Sequence, residues 1–327
     1  MCLSNIFLSK VFTKYKVDIN PGNICLRYIV LWYQIKNCFR FTPCVITYKM
    51  FYLFLIVMFT STNQHIIIEK HNIYSSFLMR HVKVDCYLPT NVAVPAAISL
   101  LLINDGQDLV TMNFKNILEN LYQHNALNPL LCVGLHCSED RKNEYATAKI
   151  LDYKGRGNKA AAHTRFVLEE LIPFIKKTYK VNSFKEKSFA GFSLGGLSAI
   201  DIVWNHAETF TKVGVFSGSF WWRDRAQEDP AFNEETDRIM HKQVRLGKYH
   251  PLLKFYFEVG TQDEKADRNN NGIIDAIDDT ISLITELKKK GYADDAIKYL
   301  ELQDGQHNVP TWARAFPDFL KWGWGRE

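Results

Sequence analysis

The segment Gly191-Phe192-Ser193-Leu194-Gly195-Gly196 sets a serine among glycines, where a strand-like run at 188–191 meets a helical stretch at 197–204. A strand-to-helix turn that tight accepts only glycine at its flanks, and it lifts the serine hydroxyl above the end of the strand. The Leu194 N–H would then lie beside the positive end of the following helix, where it can bind a developing oxyanion. The chemistry expected of Ser193 is nucleophilic attack on a carbonyl carbon. The competing reading is a glycine-rich turn with no chemical role.

A serine hydroxyl is a weak nucleophile near neutral pH, so it needs a histidine base and an acid that fixes the tautomer of that base. Where the nucleophile sits on such an elbow, the partners follow in the order acid, then histidine. Of the ten histidines, His206, His241, His250 and His307 come after Ser193. His307 alone follows the last strand-like run, in the loop Gln303-Asp304-Gly305-Gln306-His307-Asn308, and is the expected base. The acid is expected just past the strand-like run at 254–259, with Asp263 the first choice, Glu264 the second and Asp267 the third. Glu258 falls inside that run, poorly placed to reach the histidine. Spacing alone leaves Asp263 and Glu264 unresolved. A second oxyanion donor is expected from the loop Asn104-Asp105-Gly106-Gln107-Asp108, with the Gln107 N–H pairing with that of Leu194; a plain Asp-Gly turn is the alternative.

These residues must be held by something, and the order of apolar runs says what. Runs at 82–88, 98–103, 130–135, 188–191, 213–216, 254–259 and 297–302 alternate with amphipathic helical stretches such as 111–124, 164–179 and 280–290. That alternation predicts an α/β fold, with a mostly parallel central sheet covered by helices on both faces. The stretch 280–290 follows Asp278 and Asp279 and ends in Lys288-Lys289-Lys290 before Gly291, so its caps agree with its dipole. At 327 residues and 47% hydrophobic, the chain can bury one large core. One catalytic domain over 64–327 is expected, preceded by an extension over 1–63.

The extension has a different composition. Its one clear feature is the apolar segment at 50–60, too short for a comfortable membrane span but of the length of a signal-peptide core. Translation starting near Met50 would imply a secreted or periplasmic protein, and the full chain a cytoplasmic one. Cys2, Cys25, Cys38 and Cys44 match no common zinc spacing, while Cys86, Cys132 and Cys137 lie in or beside strand-like runs and read as small buried residues. The net charge of +5 is small for this length and scattered, which does not suggest nucleic acid as a partner.

Taken together, the strand and Asp-Gly-Gln loop at 98–108, the turn at 191–199, Ser217-Gly218-Ser219-Phe220-Trp221-Trp222, Gly260-Thr261-Gln262-Asp263 and His307-Asn308 resemble the Putative esterase family of α/β-hydrolases. That family includes esterase D, enterochelin, feruloyl and acetyl-xylan esterases and the mycolyltransferases. The resemblance covers about residues 70–325. It implies the α/β-hydrolase fold and hydrolysis of a small carboxylic ester, such as an aryl, sugar or siderophore ester, with no cofactor needed for the chemistry. Acyl transfer to a sugar or alcohol, or a non-catalytic binding protein on the same fold, are the alternatives. The block 139–145 is similar to a site-proximal loop of the family. Arg141 there would bind a substrate carboxylate or phenolate, or else pair with Glu144 to brace the loop. Trp221, Trp222 and Trp312 could form an aromatic platform, with a core position the default for at least one of them.

One motif stands outside this set. Asp267, Asn269, Asn271, Asp275 and Asp278, with Gly272, follow the ligand order of a calcium-binding loop, although Asp278 stands where a bidentate Glu is usual. The expectation is a weak structural calcium site; the alternative is a polar turn that caps the next helix.

Overall fold

A computed structural model describes residues 65–90 and 98–326. The expected extension over 1–63, with its apolar segment at 50–60, lies outside these residues. Eight strands form one sheet in the order β1-β2-β4-β3-β5-β6-β7-β8. They are β1 (Ile66–Ser75), β2 (Arg80–Pro89), β3 (Ser99–Asn104), β4 (Leu130–Leu135), β5 (Lys187–Phe192), β6 (Lys212–Phe216), β7 (Lys254–Gln262) and β8 (Ile297–Gln306). β1 pairs antiparallel with β2, and β2 antiparallel with β4. From β4 through β3, β5, β6 and β7 to β8 every neighbour is parallel.

Alternate side chains of the central strands feed two separate cores. Leu100 and Leu102 of β3 enter one, Leu101 and Ile103 the other. A strand buried on both faces must be apolar through its middle, which is why β3 carries the run Leu100-Leu101-Leu102-Ile103 between Ser99 and Asn104, with every residue buried. On the first face, α4 (Leu194–Asn205) contributes Leu197, Ile200 and Val203, and α6 (Asp275–Lys290) contributes Leu283 and Leu287. The same face is lined by α2 (Ala160–Arg165), a π-helical segment at Phe166–Leu171 and α3 (Ile172–Thr178). α1 (Phe114–Gln123) and α7 (Val309–Trp324) cover the second face with Leu118, Phe316 and Phe319. α5 (Ile239–Leu246) packs against α6. This is the mostly parallel sheet with helices on both faces that the alternation of runs implies, and it agrees with the α/β-hydrolase fold that the resemblance implies.

Two elements escaped the sequence reading. β1 was missed because Ile66-Ile67-Ile68 is followed by Glu-Lys-His-Asn; as the edge strand, it is paired on one side only and shows mixed burial. α5 was missed because four buried residues within eight, on a segment rich in Lys, Arg and Gln, leave only a short periodic signal.

The parallel order has one consequence for chemistry. β3, β5, β6, β7 and β8 are consecutive neighbours, so the loops leaving their C-terminal ends open along one edge of the sheet. In open α/β sheets that edge is where ligands bind.

Candidate active site

Ser193 follows β5 directly and caps α4 with φ 54° and ψ −122°, a conformation outside the regions that a non-glycine residue favours. Tight packing holds it there. The Ser193 N–H donates to the Phe216 carbonyl of β6 at 2.8 Å, and the Ser193 carbonyl accepts from Gly196, Leu197 and Ser219. A Cβ on Gly191 would stand 2.2 Å from the Gly195 carbonyl oxygen, and one on Gly195 would stand 2.5 Å from Asp105 Oδ2. The glycines therefore let strand, turn and helix approach more closely than any side chain allows. Ser193 Oγ lies 3.3 Å from Ser219 Oγ, in the loop after β6. Leu194 opens α4, in the first turn, where N–H groups have no carbonyl one turn back to bond.

His307 leaves β8 just before α7, and its Nδ1 faces Asp263 Oδ2 at 3.4 Å. The Asp263 side chain is fully buried and that of His307 is 41% exposed, so one carboxylate oxygen faces an imidazole that solvent can reach. Trp312 of α7 packs edge-on against the imidazole at 5.5 Å, stacks on Phe192 at 5.0 Å and donates from Nε1 to Ser217 Oγ at 2.9 Å. One tryptophan thus links the histidine loop to the strand that carries Ser193 and to the loop after β6. Among the described residues no hydrogen bond joins Ser193 to His307; contacts of this kind often tighten only when substrate arrives.

The structure separates the two acids that spacing left tied. Asp263 meets His307, whereas Glu264 turns toward the start of α6, where burial and the Asp275 carboxylate push its pKa up and the Ala276 N–H holds it down. Asp267 belongs to the polar loop beyond and pairs with the backbone of Asn271 and Gly272.

The loop after β3 is braced from several sides. Asp105, buried and at φ 59°, accepts two hydrogen bonds from Arg141, Nε and Nη2 each at 2.7 Å, and a third from Gln107 Nε2 at 3.2 Å. Arg141 Nη2 also reaches the Phe192 carbonyl at 3.2 Å, tying this loop to the elbow. Gln107 Oε1 accepts from the Cys137 N–H at 3.2 Å, so both ends of the Gln107 side chain are engaged. In the turn that follows, Asp108 donates to Asp105 and Leu109 to Gly106, and the Gln107 N–H has no such carbonyl to bond.

Two expectations need correction. Arg141 does brace its loop, but through Asp105; Glu144 is taken by Arg80, from Nε at 2.7 Å and Nη2 at 2.5 Å. With its fork on Asp105, Arg141 is built as a brace for the loop after β3. Trp222 is fully buried and belongs to the core, leaving half-buried Trp221 as the member of that pair open to a ligand. The guanidinium of Arg156 stands over both rings, at 5.6 Å from Trp221 and 4.7 Å from Trp222. The calcium-like loop closes on itself: Asp267 accepts from Asn271 and Gly272, Asn271 from Ile273, and Asp278 from Asn269, while Asp275 is engaged by the backbone and guanidinium of Arg268. No group of three or more His, Cys, Asp or Glu converges as metal ligands among the described residues. Sequence reasoning carried Ser219 only as part of the Ser217–Trp222 stretch and gave it no role of its own; the structure sets its hydroxyl beside that of Ser193.

Comparison with known proteins bears on fold and family. YbbA of Bacillus subtilis strain 168, described as uncharacterized, is 23% identical over 250 residues, 73% of this chain and 91% of its own length. The enterobactin esterase FES from Shigella flexneri, solved in the presence of enterobactin, superposes with a TM-score of 0.61 at 20% identity. The match covers 78% of this chain but 58% of FES, so the chain spans less than two thirds of that esterase. An IroE-like serine hydrolase from Shewanella oneidensis gives a TM-score of 0.59 at 16% identity, covering 79% of each chain. No helix among the described residues is long and apolar enough to cross a membrane. The model of the family described as "Putative esterase" matches residues 75–322, which takes in the elbow, the Asp263 and His307 loops and every parallel strand, and the chain belongs to that family and is an esterase.

Proposed function

We propose that the chain hydrolyses a small carboxylic ester through an acyl-enzyme on Ser193, with His307 as base and Asp263 as its orienting acid. The observation that carries this reading is the pairing of His307 Nδ1 with buried Asp263 at the sheet edge where the elbow presents Ser193. With Nδ1–H directed at Asp263, Nε2 is the free nitrogen that removes the Ser193 proton as oxygen attacks the carbonyl. The oxyanion is received by the N–H groups of Leu194 and Gln107, and losing one such donor costs about 3 kcal/mol of transition-state stabilisation. His307 then returns the proton to the departing alcohol, and a water activated by the same nitrogen releases the acid. The exposure of His307 favours hydrolysis over acyl transfer, because water reaches the base without a lid having to open.

The reading extends to a substrate class through the loop after β6, which carries both Ser219 and Trp221. Half-buried Trp221, with Arg156 over its ring, offers a flat, partly cationic surface suited to an aryl or sugar ester. Ser193→Ala assayed on a p-nitrophenyl ester tests the mechanism. Turnover is expected to fall by on the order of 10³-fold or more, and undiminished turnover would overturn it. A panel of feruloyl, acetyl-sugar, thio- and siderophore esters, each with and without a competing alcohol, identifies the substrate class and separates hydrolysis from transfer.

A further inference from the structure

The loop after β6 brings a second hydroxyl to the nucleophile, and its backbone is built to keep it there. Ser217 opens the loop at φ 47°, its N–H donating to the Glu258 carbonyl of β7 at 2.8 Å and its Oγ accepting from Trp312 Nε1 at 2.9 Å. Phe220, buried, anchors the far side against Phe257 at 5.9 Å. Between these anchors the Ser219 N–H donates to the Ser193 carbonyl at 3.2 Å, and the Ser219 carbonyl accepts from the Trp222 N–H at 3.2 Å. The two serines are thus tied through backbone, and their hydroxyl oxygens lie 3.3 Å apart. Ser219 is 4% exposed, and its hydroxyl has no other partner among the described residues. A buried hydroxyl without an acceptor is costly, so its hydrogen is committed to Ser193 Oγ.

We propose that Ser219 is a further catalytic residue: its hydroxyl donates to Ser193 Oγ and stabilises the negative charge which that oxygen carries as the acyl-enzyme forms and again as it breaks down. The inference rests on the reading of Ser193 as nucleophile and His307 as base. That chemistry also fixes the direction of the hydrogen bond. The Ser193 hydrogen goes to His307 Nε2, so Ser219 is the donor. Of the two lone pairs on Ser193 Oγ, one forms the bond to the carbonyl carbon and the other accepts from Ser219. In acylation the Ser193 O–H bond breaks, its proton passes to Nε2, and the new C–O bond forms as the carbonyl π pair moves onto the oxyanion. In deacylation water adds to the acyl carbon and gives its proton to Nε2. The bond from that carbon to Ser193 Oγ then breaks, its electron pair stays on Oγ, and His307 returns the proton there. Ser219 keeps its own proton throughout, so the balance needs no further acid or base. Its hydrogen bond is strongest while Oγ is charged. The N–H groups of Leu194 and Gln107 serve the carbonyl oxygen instead, so the two contributions are separate.

The test is carbamylation of the full chain with p-nitrophenyl methylcarbamate, which leaves Ser193 carrying a group slow to depart and so separates the two halves of the cycle. Release of p-nitrophenol reads attachment, and loss of the added mass from the intact protein reads departure. Ser219→Ala is expected to slow both by about 10-fold, the worth of one hydrogen bond to a charged oxygen. Its melting temperature should stay within about 3 °C of wild type. Ser219→Thr keeps the hydroxyl and returns both rates to within about threefold of wild type. Ser219→Ala rates within about twofold of wild type overturn the proposal. So does a loss confined to attachment, the result expected of a residue that only sets the resting rotamer of Ser193. A Ser219→Thr chain that melts like wild type and is as slow as Ser219→Ala overturns it as well. Ser193→Ala and His307→Ala run alongside. Carbamylation of either at the wild-type rate defeats the reading on which the inference rests, whereas silence in both with an unaltered Ser219→Ala defeats only the role of Ser219.

Discussion

The division of labour between adjacent carboxylates is set by direction rather than by distance along the chain. Asp263 and Glu264 are neighbours, yet one faces His307 and the other faces the start of α6. Asp263→Asn is therefore expected to lower kcat by on the order of 10³-fold or more, because an amide can favour the wrong imidazole tautomer. Glu264→Gln should stay within about threefold of wild type, since its charge lies outside the site. Steady-state kinetics on a p-nitrophenyl ester measures both, and the reverse ranking would reassign the acid. The places of Ser193 on the elbow and of His307 after the last strand were legible in the sequence because each is tied to chain order or to a glycine pattern. The choice between Asp263 and Glu264 was not, because a one-residue shift in a loop reverses the direction of a side chain without changing any spacing. Arg141 and Trp222 were misread for a related reason: residue type shows what a side chain can bind, and only the fold shows that Asp105 already occupies the guanidinium or that the ring is in the core.

Among the elements, the elbow is the one whose geometry cannot give. The nearest atoms to a Cβ on Gly191 are the backbone oxygen and carbon of Gly195 and the Gly196 nitrogen, at 2.2, 2.4 and 2.8 Å, and backbone in a packed turn cannot move aside as a flexible side chain can. Gly191→Ala is expected to destabilise the fold by about 1–3 kcal/mol through overpacking and to lower activity further by displacing Ser193. Urea denaturation gives the first quantity, and fluorophosphonate reactivity of the folded fraction gives the second. The buried strands were easy to read because a strand covered on both faces carries a continuous apolar run, as in the middle of β3 and throughout β4. β1 was hard because an edge strand paired on one side is free to carry charge. The segment at 267–278 shows a different limit, since the same Asp and Asn spacing serves a cation site or a self-bonded turn, and spacing does not separate the two.

Across the whole molecule, folding removes several ionisable groups from water, and stability should follow pH accordingly. His163 is buried in the first core against Tyr145 and Phe166, with Nε2 near Asn104 Oδ1 at 3.2 Å, and burial pulls its pKa down from 6.5 to about 4. The unfolded chain therefore binds a proton between those values that the folded chain does not. The stability involved is present above pH 6.5 and lost as the pH falls toward 4, on the order of 3 kcal/mol in all. His163→Gln should flatten that acid limb in urea titrations across pH 4–7, and an unchanged slope would place the loss elsewhere. The sheet order is what makes one site from distant parts of the sequence: five adjacent parallel strands bring the loop of Asp105, the elbow, Ser219, Asp263 and His307 to one edge. The central claim is that this edge holds a single activated serine. Intact-protein mass spectrometry after fluorophosphonate treatment, with the adduct located by peptide mapping, tests it most directly. An acyl-enzyme hydrolase built as proposed takes up one adduct, on Ser193, and none in Ser193→Ala; no adduct on the folded wild-type chain, or an adduct on another residue with Ser193 unmodified, would contradict it.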